Sequence, residues 1–167
     1  MGNQIYNPEE LKLFKSYPGL WGAVTGTIYL ANKETVARFG TFSGKNPRAY
    51  HTCLYACYIA SKKGEAITRL YIRAHESSNS IDPTVRSSNL HNGEIGIQIA
   101  IQFSHIYYHS GSVNTKAPVT PSTSSSNVLA INNSGGADVE MAVGKGMFLA
   151  DECYRAFKKG LLKTDGY

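Results

Sequence analysis

Apolar and polar positions follow a helical period over most of the chain. Asn7-Pro8-Glu9-Glu10 opens the first such segment. Asn7 can accept backbone N–H groups at a helix start, Pro8 suits the first helical position, and Glu10 can reach back to the cap. The short helix that follows ends before Tyr17-Pro18-Gly19. Leu20, Ala23, Val24, Ile28, Ala31, Val36 and Phe39 then predict a second helix over Leu20–Phe39, closed by Gly40, in which Gly22 and Gly26 would let a neighbour come close. Asn46-Pro47 repeats the cap-then-proline signal and predicts a helix from Pro47 to about Lys62, stopped by Gly64, with Cys53, Leu54, Cys57, Tyr58 and Ser61 inward. Glu65 to about Ser78 carries a stripe of Ile67, Leu70, Tyr71, Ala74 and Ser78. The joint between these two helices is short enough to make them an antiparallel hairpin.

After Ser78 the pattern changes. Residues 79–92 are polar, contain Pro83 and read as a loop. Ile95, Ile97, Ile99, Ile101 and Phe103 alternate with Gly96, Gln98, Ala100, Gln102 and Ser104, a period of two that predicts a strand. Wound as a helix, the same stretch puts Ile95, Ile99, Gln102, Phe103 and Ile106 on one face, so both readings of residues 94–106 stay open. Residues 109–146 are rich in Ser, Thr, Asn, Gly and Pro and read as a long loop, with a short strand at 128–131. A last helix is expected from about Gly146 to Lys159, with Phe148, Leu149, Cys153 and Phe157 inward, Lys158 and Lys159 at its negative end, and Gly160 as its stop. The fold class these elements predict is mainly α: one compact helical domain over residues 1–167, with 110–146 as a loop or insertion and at most a small β element.

Composition narrows the function classes. Of 167 residues 42% are hydrophobic and 17% charged, so a core is affordable, and the net charge of +5 favours an anionic polymer as partner. The three cysteines form neither a disulfide framework nor a CxxC metal pair. No apolar run reaches the roughly 18 residues that a membrane helix needs, so no stable membrane insertion is expected. Met1–Glu10 lacks the basic and apolar regions of a Sec signal, so an exported chain would use a non-Sec route. Fingerprints of P-loop enzymes, dinucleotide enzymes and α/β-hydrolases do not occur.

Candidate chemistry concentrates in Ile72–Gly96. Glu76 falls at a helix end, where burial against apolar and Tyr side chains would raise its pKa and make it a general acid; pairing with Arg73 would lower it again. His75, beside it, is the second candidate catalytic residue. His51, Asn89, His91, Asn92 and Glu94 are candidate substrate-binding residues. His51 and His75 lie on adjacent helices and His91 on the segment that follows, so the three could converge. With Glu76 they make an alternative metal set for zinc or manganese, although the spacing matches no short metal motif and the leading expectation is no cofactor. Asn92-Gly93 reads as a turn or as the cap of a helix starting at Glu94.

Two resemblances meet on this stretch. His51, Ala74-His75-Glu76 and Asn89-Leu90-His91-Asn92-Gly93-Glu94-Ile95-Gly96 resemble a bacterial domain found at the C-termini of polymorphic-toxin and wall-associated proteins, as does the closing run Asp151–Gly160. That family's pattern has an arginine where Tyr50 stands, an aspartate where Asn89 stands and a second asparagine where Gly93 stands. More weakly, Glu76-Ser77, Asp82-Pro83, Ser87 and the Gly93–Gln98 stretch are similar to lysozyme-like lytic transglycosylases, whose catalytic glutamate ends a helix. Together the resemblances imply an antibacterial effector: a secreted hydrolase acting on peptidoglycan in the target envelope, with Glu76 as general acid/base and an immunity protein as partner. The alternatives are a metal-dependent nuclease or phosphodiesterase toxin using His51, His75, Glu76 and His91, and a non-catalytic module that binds cell wall or a partner.

Overall fold

The computed structural model describes residues 6–78, 81–109 and 136–167, with side chains as far as Phe103 in the fifth helix and from Gly146 in the sixth. It is mainly helical: α1 (Pro8–Ser16), α2 (Leu20–Phe39), α3 (Lys45–Lys63), α4 (Glu65–His75), α5 (Pro83–His109) and α6 (Gly136–Lys158), with no strand among the described residues. The expected strand at 128–131 lies outside them, as does most of the expected loop, 110–135.

The first helix starts as its sequence dictates. Asn7 accepts from the backbone N–H groups of Glu9 and Glu10, and Glu10 returns a bond to the Asn7 N–H at 2.7 Å. The Asn7 amide also donates to the carbonyls of Ala74 (2.7 Å) and His75 (3.3 Å). One side chain therefore caps the start of α1 and the end of α4, satisfying orphan groups at both termini.

At the centre of the molecule lies α3. Apart from half-buried His51, every residue from Ala49 to Ala60 is buried, because α5, α2 and α6 pack around this helix and α4 packs at its side. A single inward face was expected, but a central helix buries its whole circumference. It also begins earlier than expected, with Gly44 as cap, so Asn46 sits inside the first turn.

The largest correction concerns residues 79–103. Pro83–His109 is one helix, so there is no loop up to 92, no turn at Asn92-Gly93 and no strand at 95–103. Asp82 caps it, accepting from the N–H of Thr84 (2.8 Å) and Val85 (3.3 Å), with Pro83 at the first position. The glycines serve packing. A Cβ on Gly96 would lie 2.1 Å from the Cys53 carbonyl oxygen, and one on Gly93 would lie 2.9 Å from Ile72 Cδ1. They let α5 press onto α3 and α4, where the absence of a side chain outweighs the helix penalty of glycine. The alternating isoleucines are used on two sides of this helix: Ile97 and Ile99 are core, whereas Ile95 and Phe103 face α6 across a groove.

Two further expectations shift. The buried residues of α4 are Thr68, Tyr71 and Ile72, and Leu70 is 42% exposed, so the apolar stripe is rotated towards α5. The last helix begins at Gly136, ten residues ahead of the expected 146. Its Leu149, Ala150, Cys153 and Ala156 meet the core, and all three cysteines are buried and free.

Candidate functional site

The end of α4 delivers His75 and Glu76 into a polar cluster shared by α1, α3, α5 and the segment 159–167. Glu76 is 2% exposed. Its Oε1 accepts from Asn89 Nδ2 at 3.0 Å, while Oε2 is buried without a hydrogen-bond partner. Burial raises its pKa, against the opposing pull of the Asn89 bond and of the His75 and Arg86 charges. Arg73, expected to oppose that rise, is instead exposed on the outer side of α4, near Glu94.

The orientation of Asn89 decides where a proton on Glu76 would sit. Asn89 Oδ1 accepts from the Tyr167 hydroxyl, so its amide nitrogen must face Glu76. Oε1 is then fixed as an acceptor, and the proton of the neutral carboxyl belongs on Oε2.

His75 has a different partner. Its Nδ1 lies 2.8 Å from Glu10 Oε1, and its side chain is 39% exposed while that of Glu10 is 4% exposed. Burial lowers the His75 pKa, but the Glu10 bond and charge outweigh it and the net shift is upward. Burial likewise works to raise the Glu10 pKa, but the bonds from His75 and the Asn7 N–H leave it below its ordinary value. The Glu10–His75 dyad is thus a buried carboxylate holding an imidazolium at the surface.

A row of rings runs through the cluster. Phe42 stands edge-on to His51 (4.8 Å), His51 lies 5.4 Å from Tyr55, Tyr55 lies 6.3 Å from His75, and Tyr71 stacks on His75 at 5.8 Å. Burial lowers the His51 pKa to about 4, so this imidazole is neutral at physiological pH, and its Nε2 has no partner. The buried Tyr55 hydroxyl has none either.

The remaining candidates from sequence are drawn elsewhere. His91 Nε2 meets the Leu161 carbonyl at 2.9 Å. Asn92 is buried and holds the Lys163 backbone twice, through its amide to the carbonyl and its oxygen to the N–H, each at 2.8 Å. Ser88 donates to the Asp165 carbonyl at 2.9 Å. Four polar side chains along α5 thus clamp the segment 159–167, which explains the Asn89-Leu-His-Asn pattern physically. Glu94 faces outwards and takes Arg69 bidentately (2.8 and 3.0 Å). Among the described residues no three His, Cys, Asp or Glu side chains come together as ligands of one metal ion, so His51, His75, Glu76 and His91 are not assembled as such a centre.

Sequence reasoning missed Glu10, Tyr55 and Tyr167. Glu10 was legible only as a helix cap, Tyr55 only as one of many tyrosines, and Tyr167 carried no local signal. Comparison with known proteins returns no matching family model, no matching characterised protein and no matching solved structure. The two resemblances therefore rest on the quoted residues alone.

Proposed function

We propose that the chain is a hydrolase of an anionic glycan, with peptidoglycan as substrate and Glu76 as its acid/base. The observation that carries this reading is a buried carboxyl at a helix end with one oxygen held as an acceptor and the other unpartnered. Such a group is neutral over a wider pH range than an exposed glutamate and offers a proton at Oε2. In the reaction, Oε2 gives that proton to the glycosidic oxygen as the C1–O bond breaks and positive charge develops on the sugar. The carboxylate left behind takes a proton from the water that attacks C1, restoring the acid. The His75 imidazolium, held by Glu10, donates a charged hydrogen bond to acidic groups of the polymer, and the net charge of +5 favours its approach. The reading extends to an antibacterial effector exported by a non-Sec route, acting in the target envelope and held off in the producer by an immunity protein.

The test is release of soluble fragments from purified sacculi. Glu76→Gln keeps the shape of the side chain and removes the transferable proton, so activity should fall by about 10²–10⁴-fold while the far-UV spectrum is unchanged. A variant that digests sacculi at the wild-type rate refutes the role of Glu76.

A second reading has an observation in its favour. Ser88, Asn89, His91 and Asn92 are all committed to the segment 159–167, as a purely structural polar clamp would have them. A non-catalytic wall-binding module then predicts sedimentation with sacculi and no fragment release by wild type or variant.

A further inference from the structure

Three buried polar atoms without partners face one region: His51 Nε2, the Tyr55 hydroxyl and Glu76 Oε2. Folded proteins leave few such groups, because each costs the desolvation of a hydrogen-bonding atom. These three are not scattered. Tyr55 follows His51 by one helical turn on α3 with the rings 5.4 Å apart. Tyr55 is 5% exposed and lies within electrostatic reach of Glu76. The rim is formed by the exposed edge of His75 and by Phe42, which stands edge-on to His51 and is 38% exposed.

We infer that His51, Tyr55 and Glu76 line a recess that takes one uncharged hydroxyl or acetamido group of a saccharide. The donors and acceptors match such a group. Glu76 Oε2 donates, because Oε1 is fixed as an acceptor by Asn89. The Tyr55 hydroxyl both donates and accepts, and the neutral His51 ring takes whichever role its tautomer leaves. The rim offers a ring face and edge for the apolar C–H side of a sugar.

Charge excludes the other polymer class. A phosphate entering here meets the carboxyls of Glu76 and Glu10, and the imidazolium of His75 is already matched by Glu10. Arg86, the cation acting on Glu76, has its Nη2 tied to the Ser78 carbonyl at 2.8 Å. Burial keeps His51, Tyr55 and Glu76 in their neutral forms. The recess therefore favours a sugar hydroxyl or N-acetyl group over a phosphodiester. This deepens the glycan reading above, but it concerns binding and not the acid step.

The experiment is calorimetric titration of the full chain with tri-N-acetylchitotriose, with inorganic phosphate and a dinucleotide as parallel probes. Wild type should bind the saccharide. Tyr55→Phe removes only the unpartnered oxygen and should weaken binding at least tenfold, with a melting temperature equal to or above wild type. His51→Gln should weaken it as well, while Glu76→Gln should still bind. The inference is overturned if Tyr55→Phe binds the saccharide like wild type, if no saccharide binds, or if phosphate binds instead and loses affinity in Tyr55→Phe. Fragment release from sacculi, followed in parallel, separates the two claims. Saccharide binding that depends on Tyr55 without any hydrolysis leaves the recess and removes the acid. Hydrolysis that depends on Glu76 but not on Tyr55 leaves the acid and removes the recess.

Discussion

Glu10 and Glu76 are both glutamates with almost no exposure, yet burial is answered in opposite ways. Glu10 finds a cation and a backbone N–H and stays ionised; Glu76 finds a neutral amide and favours its proton. Their contributions to stability consequently have opposite signs with pH. The lowered Glu10 pKa adds stability above the ordinary carboxyl range, lost as pH falls through the folded value. The raised His75 pKa adds stability below the ordinary imidazole range of about 6.5, lost as pH rises through the folded value. The dyad therefore stabilises most between those two folded values. Glu10→Gln should cost about 2 kcal/mol in that window, from the lost ion pair and weakened cap, and should flatten the pH profile. The raised Glu76 pKa works the other way: stability declines as pH rises past the ordinary carboxyl value, until the folded value is reached. Glu76→Gln should remove that decline and melt at or above wild type near pH 8. Urea unfolding of both variants across pH 4–9 checks both signs. His51 adds an acid-side loss, since the folded state excludes its proton down to about pH 4.

At the scale of elements, glycines with identical local propensity divide sharply by what lies opposite. Gly22 and Gly26 on α2 have nothing within 4 Å of a built Cβ, so each change to alanine should stabilise by about 0.5–1 kcal/mol. On α5, Gly96→Ala would drive a Cβ to 2.1 Å from the Cys53 carbonyl. Backbone must move, and a loss of about 3 kcal/mol or more is expected. Thermal melts of the three single variants give the ranking. The sequence reading of Gly22 and Gly26 as close-approach positions did not survive, while the Gly96 contact was not legible at all. A glycine states that a neighbour can come close, never which one does. The clamp on 159–167 is testable in the same way. Asn92→Ala removes both bonds to Lys163 and leaves its backbone groups unpaired, which should cost about 2–3 kcal/mol. Limited proteolysis should then cut within 159–167 before any helix.

Across the whole molecule, the arrangement follows from placing one helix inside the others. Because α3 is buried on all sides, it presents His51, Thr52 and Tyr55 to the ends of α4 and α5, where Glu76 and Asn89 arrive. Helix boundaries were readable from sequence wherever a cap or stop sits beside the periodicity: Asn7-Pro8, Gly40 and Gly64 place α1, α2 and the α3–α4 joint. Asp82-Pro83 is the same signal at the start of α5, obscured by the polar run that follows it. The alternating isoleucines misled because a helix packed on several neighbours has no single apolar face. Of the site, the sequence by itself determined a glutamate at the end of α4, with a histidine before it and asparagines ahead. Only the tertiary structure decided their partners: Glu10 for His75, Asn89 and then Tyr167 for Glu76, and the segment 159–167 for His91 and Asn92. These contacts join residues about 65 to 80 positions apart, except Glu76–Asn89. Periodicity and capping act within one or two helical turns, so no local pattern encodes such pairs; packing around α3 does.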